Sequence, residues 1–284
     1  MRRRFRFAPI AVMHWRQGDS AVEATVTKRA WVLGGMLAVA APALLYAQQE
    51  RAGYLPSGTI DVTKILPAAP QKGDARYEAD RAIFKATRHW LGTPRGDLAT
   101  RDVNTGVPYM LSAFSCSVGV TLTEQNAPAT VKLIRKAGID TQTQSGAAKD
   151  YFKRQRPFLI DQGKTCQAPA ELAGTFDYPS GHTTWSWTWG SLLSELMPDR
   201  ATQIMARARA YGESRIVCGV HNATAVEAGR MTSASTLAAV HAQAAFQADL
   251  AAARAELTAL RADPATPKPA NCAAETALVN QPIL

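Results

Sequence analysis

The chain has 284 residues, 46% hydrophobic and 19% charged, with 16 Pro and 19 Gly. That length can bury a sizeable core, and the composition excludes wholesale disorder and collagen-like or linker-like chains. The formal net charge of +9 first suggests nucleic acid or a membrane surface as a partner, but the basic residues are unevenly placed.

Seven of them, Arg2, Arg3, Arg4, Arg6, Arg16, Lys28 and Arg29, precede an apolar run from Ala30 to Leu45. The run ends at the small residue Ala47, before the polar Gln48-Gln49-Glu50. A basic flank, an apolar stretch and a small residue at its exit describe a secretory signal peptide over residues 1–47. The stretch falls short of the roughly 20 apolar residues of a membrane span. An uncleaved anchor is the alternative, and translation from Met13 is a second origin for so long a basic leader. Cleavage removes seven of the 32 Lys/Arg and two of the 23 Asp/Glu, leaving +4. Nucleic acid then loses its main support as a partner, and the mature chain is expected in the periplasm without stable membrane insertion. The four cysteines, Cys116, Cys166, Cys218 and Cys272, all follow the leader. An even count in an exported chain implies two disulfides, with three pairings open.

Residues 48–73 read as an extended arm. Helical periodicity begins at Ala75, with Tyr77, Ala82, Ile83, Ala86 and Trp90 on one face, and stops at Leu91-Gly92-Thr93-Pro94. An apolar, small-residue segment covers 107–120. Asn126 is a candidate cap for a helix entered through Pro128 and stopped by Gly138, and Ser145–Lys153 reads as a further helix. Residues 157–182 are loop-like. Beyond them Trp185, Trp189, Leu192, Leu193 and Leu196 follow helical spacing, although Trp185, Trp187 and Trp189 also alternate as in a strand; the length of the segment favours a helix. Pro198 opens another helix, reaching about Tyr211. Residues 222–261 are rich in helix formers and divide into two pieces, and the tail from Asp263 is irregular unless Cys272 ties it down. The fold class is all-α, with a single helical-bundle domain over 74–284.

Three clusters carry chemistry that such a bundle does not need: Lys149 with Arg156-Pro157, Pro179-Ser180-Gly181-His182, and Ser214-Arg215 followed by His221. Two guanidinium groups and an ammonium can neutralise and orient a phosphate. Ser180 and Gly181 stand where a helix begins, so backbone N–H groups and a hydroxyl can join them. Two histidines then offer a nucleophile and a proton donor, a division of labour that needs no metal cofactor. Taken singly, each cluster has a plainer reading: a solvated basic face, a capped turn, a satisfied histidine. His89 and His241 have no such company and read as structural.

In order and spacing, Lys149 to Pro157, Pro179 to His182 and Ser214 to His221 resemble the three-part signature of the type 2 phosphatidic acid phosphatase superfamily. The wider surroundings, including Ser115-Cys116-Ser117, resemble its exported branch, the class A bacterial non-specific acid phosphatases. That resemblance implies an all-α fold shared with vanadium haloperoxidases and hydrolysis of phosphate monoesters through a phosphohistidine. It makes Lys149, Arg156, Ser180, Gly181 and Arg215 the phosphate ligands, His182 the general acid and His221 the nucleophile. An acid optimum follows, because His182 must be protonated while His221 is neutral. The pattern departs at one point: an Asp is expected four residues after His221, and Ala225 stands there. Glu227 would lie on another face of a helix, and Thr224 carries no charge. Losing an orienting carboxylate can cost on the order of 10⁴-fold in kcat, so a carboxylate from elsewhere is one expectation and a weakened enzyme another. Two further readings stay open: a vanadate-dependent haloperoxidase, and a periplasmic phosphate- or phosphoester-binding protein with an impaired site. The expected partner is a small phosphomonoester, and a homo-oligomer stays open.

Overall fold

The apolar spacing of the chain is realised as nine α-helices, with no strand, in the computed structural model, which describes residues 52–284. The expected signal peptide, residues 1–47, and the first four residues of the arm lie outside that range. The helices are α1 (Ala75–Ala86), α2 (Pro94–Arg101), α3 (Val107–Val118), α4 (Pro128–Phe152), α5 (Gly181–Leu196), α6 (Ala201–Val217), α7 (Ala223–Val240), α8 (Ala244–Ala262) and α9 (Cys272–Asn280). Among the described residues no helix is long and apolar enough to cross a membrane.

The tryptophan segment is the axis of the bundle. Helix α5 packs against α4, α6, α7 and α8, and Trp189, Leu192 and Leu193 are completely buried. Each such side chain contributes roughly 1.5–3 kcal/mol relative to exposure. The helical spacing therefore prevails over the alternating tryptophans, because neighbours on several sides can cover the face it creates.

Three local expectations are corrected. Gly138 does not stop a helix: α4 runs through it for 25 residues. A Cβ at Gly138 would lie 2.2 Å from the Trp185 ring, so this glycine makes room for a neighbour rather than ending an element. Asn126 does not cap α4, since its Oδ1 accepts from Thr123 N–H. The first turn is held instead by Glu256 of α8, which accepts from the N–H groups of Ala129 (2.8 Å) and Thr130 (2.9 Å). Pro94, read as a breaker, is the first residue of α2, whose N-cap Thr93 accepts from Gly96 N–H. The tail follows the stated exception: Cys272 bonds to Cys116, ties the segment down and opens α9. The second disulfide joins Cys166 to Cys218.

The arm is packed rather than free. The N–H groups of Tyr54 and Leu55 donate to Asp140 of α4. Val62, Leu66 and Ala69 share an apolar cluster with Ala148, Tyr178, Ala225 and Ala228, and the Tyr178 hydroxyl donates to Pro67 O at 2.9 Å. The arm thus buttresses the loop that enters α5.

Candidate active site

The three clusters come together because two chain reversals, after α4 and after α6, converge on the N-terminal end of α5. Helix α4 ends at Lys153, which adopts a left-handed backbone (φ 48°). Beyond this turn Arg154 and Arg156 are buried while Lys153 stays exposed, so only part of the basic run is a solvated face. Helix α6 ends at Cys218 and turns at Gly219 (φ 79°), where a Cβ would fall 2.3 Å from Arg88 Nη1. That turn sends His221 back across the N-terminus of α5.

Ser180 is the N-cap of α5. Its Oγ accepts from Thr183 N–H (3.3 Å) and from the Thr183 hydroxyl (3.0 Å), which leaves its own O–H to donate outward. It is therefore a helix cap and a candidate anion donor at once. The N–H groups of Gly181 and His182 occupy the first helical turn, where no intrahelical acceptor exists. A Cβ at Gly181 would meet only ordinary contacts, 3.5–3.8 Å from Gln142, Ser145 and Lys149. Glycine is thus not forced there by a clash; its lack of a side chain keeps the space beside Lys149 open.

Lys149 reaches the carbonyl of Phe176 at 2.6 Å. Burial, then the neighbouring Arg156, pushes its pKa down to about 7. Arg156 donates through Nη1 to Val220 O (2.8 Å) and to His221 Nε2 (3.1 Å), and through Nε to Thr175 Oγ1. Arg215 is fully buried, yet it bonds only through Nη2, to Gln167 Oε1 at 2.8 Å; its Nε and Nη1 meet no hydrogen-bond partner among the described residues. Burial pushes its pKa down to about 10. Gln167 is held by its neighbour Cys166, which is bonded to Cys218 at the end of α6. The Oγ of Ser145, one turn before Lys149 on α4, is likewise buried without a partner. Sequence reasoning passed over Ser145, although its i, i+4 spacing from Lys149 was a usable signal.

His221 Nδ1 lies 2.8 Å from the Asp177 carbonyl and 3.0 Å from Asp177 Oδ1. Both neighbours are acceptors, so Nδ1 carries the proton and Nε2 presents its lone pair. Burial, then Arg156, Lys149 and Arg215, holds the His221 pKa well below its ordinary value, which keeps the ring neutral. His182 donates from Nε2 to Val103 O at 3.0 Å and lies over the Tyr211 ring. Burial, then Arg215, depresses its pKa as well. The protonated His182 expected from the sequence therefore requires negative charge brought in by a ligand.

Asp177 and the segment between α2 and α3 were both missed. Asp177 directly precedes Tyr178-Pro179-Ser180-Gly181-His182, and adjacency to that block was its only signal. The α2–α3 segment contributes Val103 O to His182, Asn104 O to the Tyr211 hydroxyl (2.7 Å) and Thr105 O to Trp185 Nε1 (3.1 Å). These are backbone acceptors, so no residue type marks them. Beside His182 opens a cleft of about 660 Å³, whose walls include Thr105, Ile139, Gln142 and Trp185.

The PAP2 superfamily model matches residues 133–248, a span that holds all seven of these site residues. The chain is 35% identical to an acid phosphatase of Zymomonas mobilis subsp. mobilis over 212 residues, covering 74% of this chain and 80% of that one. It is 33% identical to a non-specific acid phosphatase of Providencia stuartii (72% and 84% covered) and 31% identical to one of Salmonella typhimurium (72% and 83% covered). Similarity that spans at least four fifths of each relative, together with an all-helical fold around the matched segment, establishes that this chain belongs to the acid phosphatases of the PAP2 superfamily.

Proposed function

We propose that this phosphatase is an exported enzyme that hydrolyses phosphate monoesters of broad class through a phosphohistidine on His221. The observation that carries the reading is Arg215: a fully buried guanidinium with two unpartnered nitrogens, beside Lys149, Arg156 and two neutral histidines at a helix N-terminus. Such a site is short of negative charge, and a phosphate dianion supplies it. Lys149, Arg156, Arg215, Ser180 and the Gly181 N–H hold the phosphate oxygens. His221 Nε2 attacks phosphorus and forms the N–P bond as the ester P–O bond breaks. His182, charged once the dianion lies beside it, gives its proton to the leaving oxygen. Water then attacks phosphorus and loses its proton to His182, the N–P bond breaks, and phosphate leaves. The leaving group faces an open cleft that offers both apolar surface, at Ile139 and Trp185, and polar groups, at Thr105, Arg135 and Gln142, a mixture that suits leaving groups of varied chemistry. The leader over residues 1–47 and the two disulfides support export to the periplasm.

Hydrolysis of p-nitrophenyl phosphate by the purified protein, with chelator present, tests this reading. Turnover is expected to survive the chelator, to vanish in His221→Ala, and to leave radiolabelled phosphate on His221 in an acid-free quench. Full activity in His221→Ala would overturn it.

A further inference from the structure

Position 225, where the resemblance expects a carboxylate, holds a methyl group that is completely buried in the apolar cluster of Val62, Leu66, Ala148 and Tyr178. The four-residue spacing on which that expectation rests also fails here. Helix α7 starts at Ala223 with Asn222 as N-cap, so His221 precedes the helix and shares no helical face with Ala225. Thr224 is engaged elsewhere, bonded through N–H and hydroxyl to Asp80. Glu227 is exposed.

The carboxylate that does reach His221 comes from the other side of the site. We propose that Asp177 is the positioning residue of the nucleophile, in the role that position 225 has lost. The inference rests on the proposed phosphatase mechanism and names the group that prepares His221 for it. Asp177 is fully buried, and its carboxylate meets donors or cations only. Oδ1 accepts from His221 Nδ1–H (3.0 Å) and Asn222 N–H (3.1 Å). Oδ2 accepts from Asn222 Nδ2 (2.8 Å), with Arg154 Nη1 at 3.4 Å. Burial raises the carboxyl pKa, against Arg154 and both Asn222 donors; the three N–H donors and the Arg154 cation around its oxygens favour the carboxylate form. Arg154 is itself anchored by Asp80 at 2.7 Å, and Tyr178 is anchored by the arm. The carboxylate is therefore held from two sides, by Asn222 at the start of α7 and by Arg154 beyond the end of α4.

The chemistry this supplies is specific. When Nε2 forms its bond to phosphorus, the imidazole ring becomes positively charged. Nδ1 keeps its proton, and the Asp177 carboxylate 3.0 Å away balances that charge without taking the proton. The backbone carbonyl of Asp177, at 2.8 Å, can also orient the ring, but a carbonyl carries no net charge. The two contributions are separable, because Asp177→Asn keeps the carbonyl and removes the charge.

The decisive measurement is steady-state kinetics of Asp177→Asn on p-nitrophenyl phosphate, with vanadate inhibition measured alongside. The expected result is a kcat lower by at least about 100-fold and up to the order of 10⁴-fold. KM and vanadate inhibition should stay within a few-fold, because the phosphate ligands are intact. A wild-type kcat in the folded variant would overturn the proposal and assign orientation to the carbonyl alone. Equal loss of kcat and of vanadate binding would also overturn it, as a collapsed site. Should the variant fail to fold, nitrogen-15 NMR of the wild-type imidazoles still decides: the Nδ1–H tautomer of His221 is expected, and an Nε2–H tautomer refutes the assignment. Ala225→Asp is expected to bring no gain in kcat; a rise of tenfold or more would show that Nδ1 lacks its carboxylate. Failure of the phosphatase reading itself is distinguishable, since it would appear as activity surviving in His221→Ala.

Discussion

Two arginines on α6, eight residues apart, are equally hidden from solvent and differ in what surrounds them. Arg207 is 1% exposed and Arg215 0%. Arg207 meets Asp102 through both terminal nitrogens, at 2.6 and 3.1 Å, and Glu275 through Nε at 3.0 Å. Burial works against its charge, yet Asp102 prevails and raises its pKa. Arg215 has one amide oxygen and no carboxylate within bonding distance, and burial lowers its pKa. A buried charge is tolerated when it is paired, and an unpaired one costs several kcal/mol. Arg207 is thus a structural tie between α6, the end of α2 and the C-terminal helix. Arg215 is a standing electrostatic deficit that an anion relieves. Identity and burial alike, the presence or absence of a countercharge separates the part of the helix that holds the fold from the part that binds.

That contrast can be broken most forcefully by removing each charge in turn. Arg215→Met should lower kcat/KM by at least 10²- to 10³-fold, about 3–4 kcal/mol, while leaving stability unchanged or raised. Vanadate should raise the Tm of the wild type and not of this variant. Arg207→Met should do the reverse: a loss of about 3–5 kcal/mol of stability from the stranded Asp102, with the activity of the folded fraction nearly intact. Denaturant melts and p-nitrophenyl phosphate kinetics on both variants read the four quantities, and loss of activity without destabilisation in Arg207→Met would erase the distinction.

The two disulfides sharpen the same comparison with a smaller effect. Cys166–Cys218 fixes the loop that bears Gln167 against the end of α6, whereas Cys116–Cys272 ties α3 to the C-terminal helix. Replacing either pair with alanine should cost on the order of 2–4 kcal/mol of stability. Only Cys166→Ala/Cys218→Ala should also weaken vanadate inhibition, because only that bridge holds a contact to Arg215.

The smallest effect is a displaced pH limb. Lys149 has its pKa pushed down to about 7, so its charge is present below that pH and lost above it. In the free enzyme kcat/KM should therefore fall as pH rises through about 7. Bound phosphate stabilises the ammonium, so the limb in kcat should lie higher. Lys149→Arg keeps its charge throughout this range and should move the kcat/KM limb upward on the same substrate, whatever it does to the absolute rate. An unmoved limb would assign the limb to the substrate or to another group.

Much of this molecule is legible in residue order. Helical spacing at Trp185, Trp189, Leu192, Leu193 and Leu196 identifies the central helix. Three ordered polar clusters pick out Lys149, Arg156, Ser180, Gly181, His182, Arg215 and His221, which the fold gathers at one end of α5. The errors have two causes. Local tendency makes Gly138 and Pro94 helix breakers, but the Trp185 ring needs the space at Gly138, and Pro94 suits the first turn of α2. Only Gly138 depends on a neighbour distant in sequence; at Pro94 the local pattern also permits a helix start.

By itself, the sequence determined the all-α class, the helix faces, the even cysteine count and the candidate phosphate ligands, because helical periodicity and motif spacing are local properties. Only the tertiary structure decided which cysteines pair, that residues 103–105 wall the site with backbone carbonyls, and that one buried arginine of α6 is matched while the other is not. It also decided that the carboxylate beside His221 is Asp177, 44 positions earlier in the chain. A buried polar group takes its partner from whatever segment the packing brings within about 3 Å, and that distance is set by the crossing of helices rather than by position along the chain.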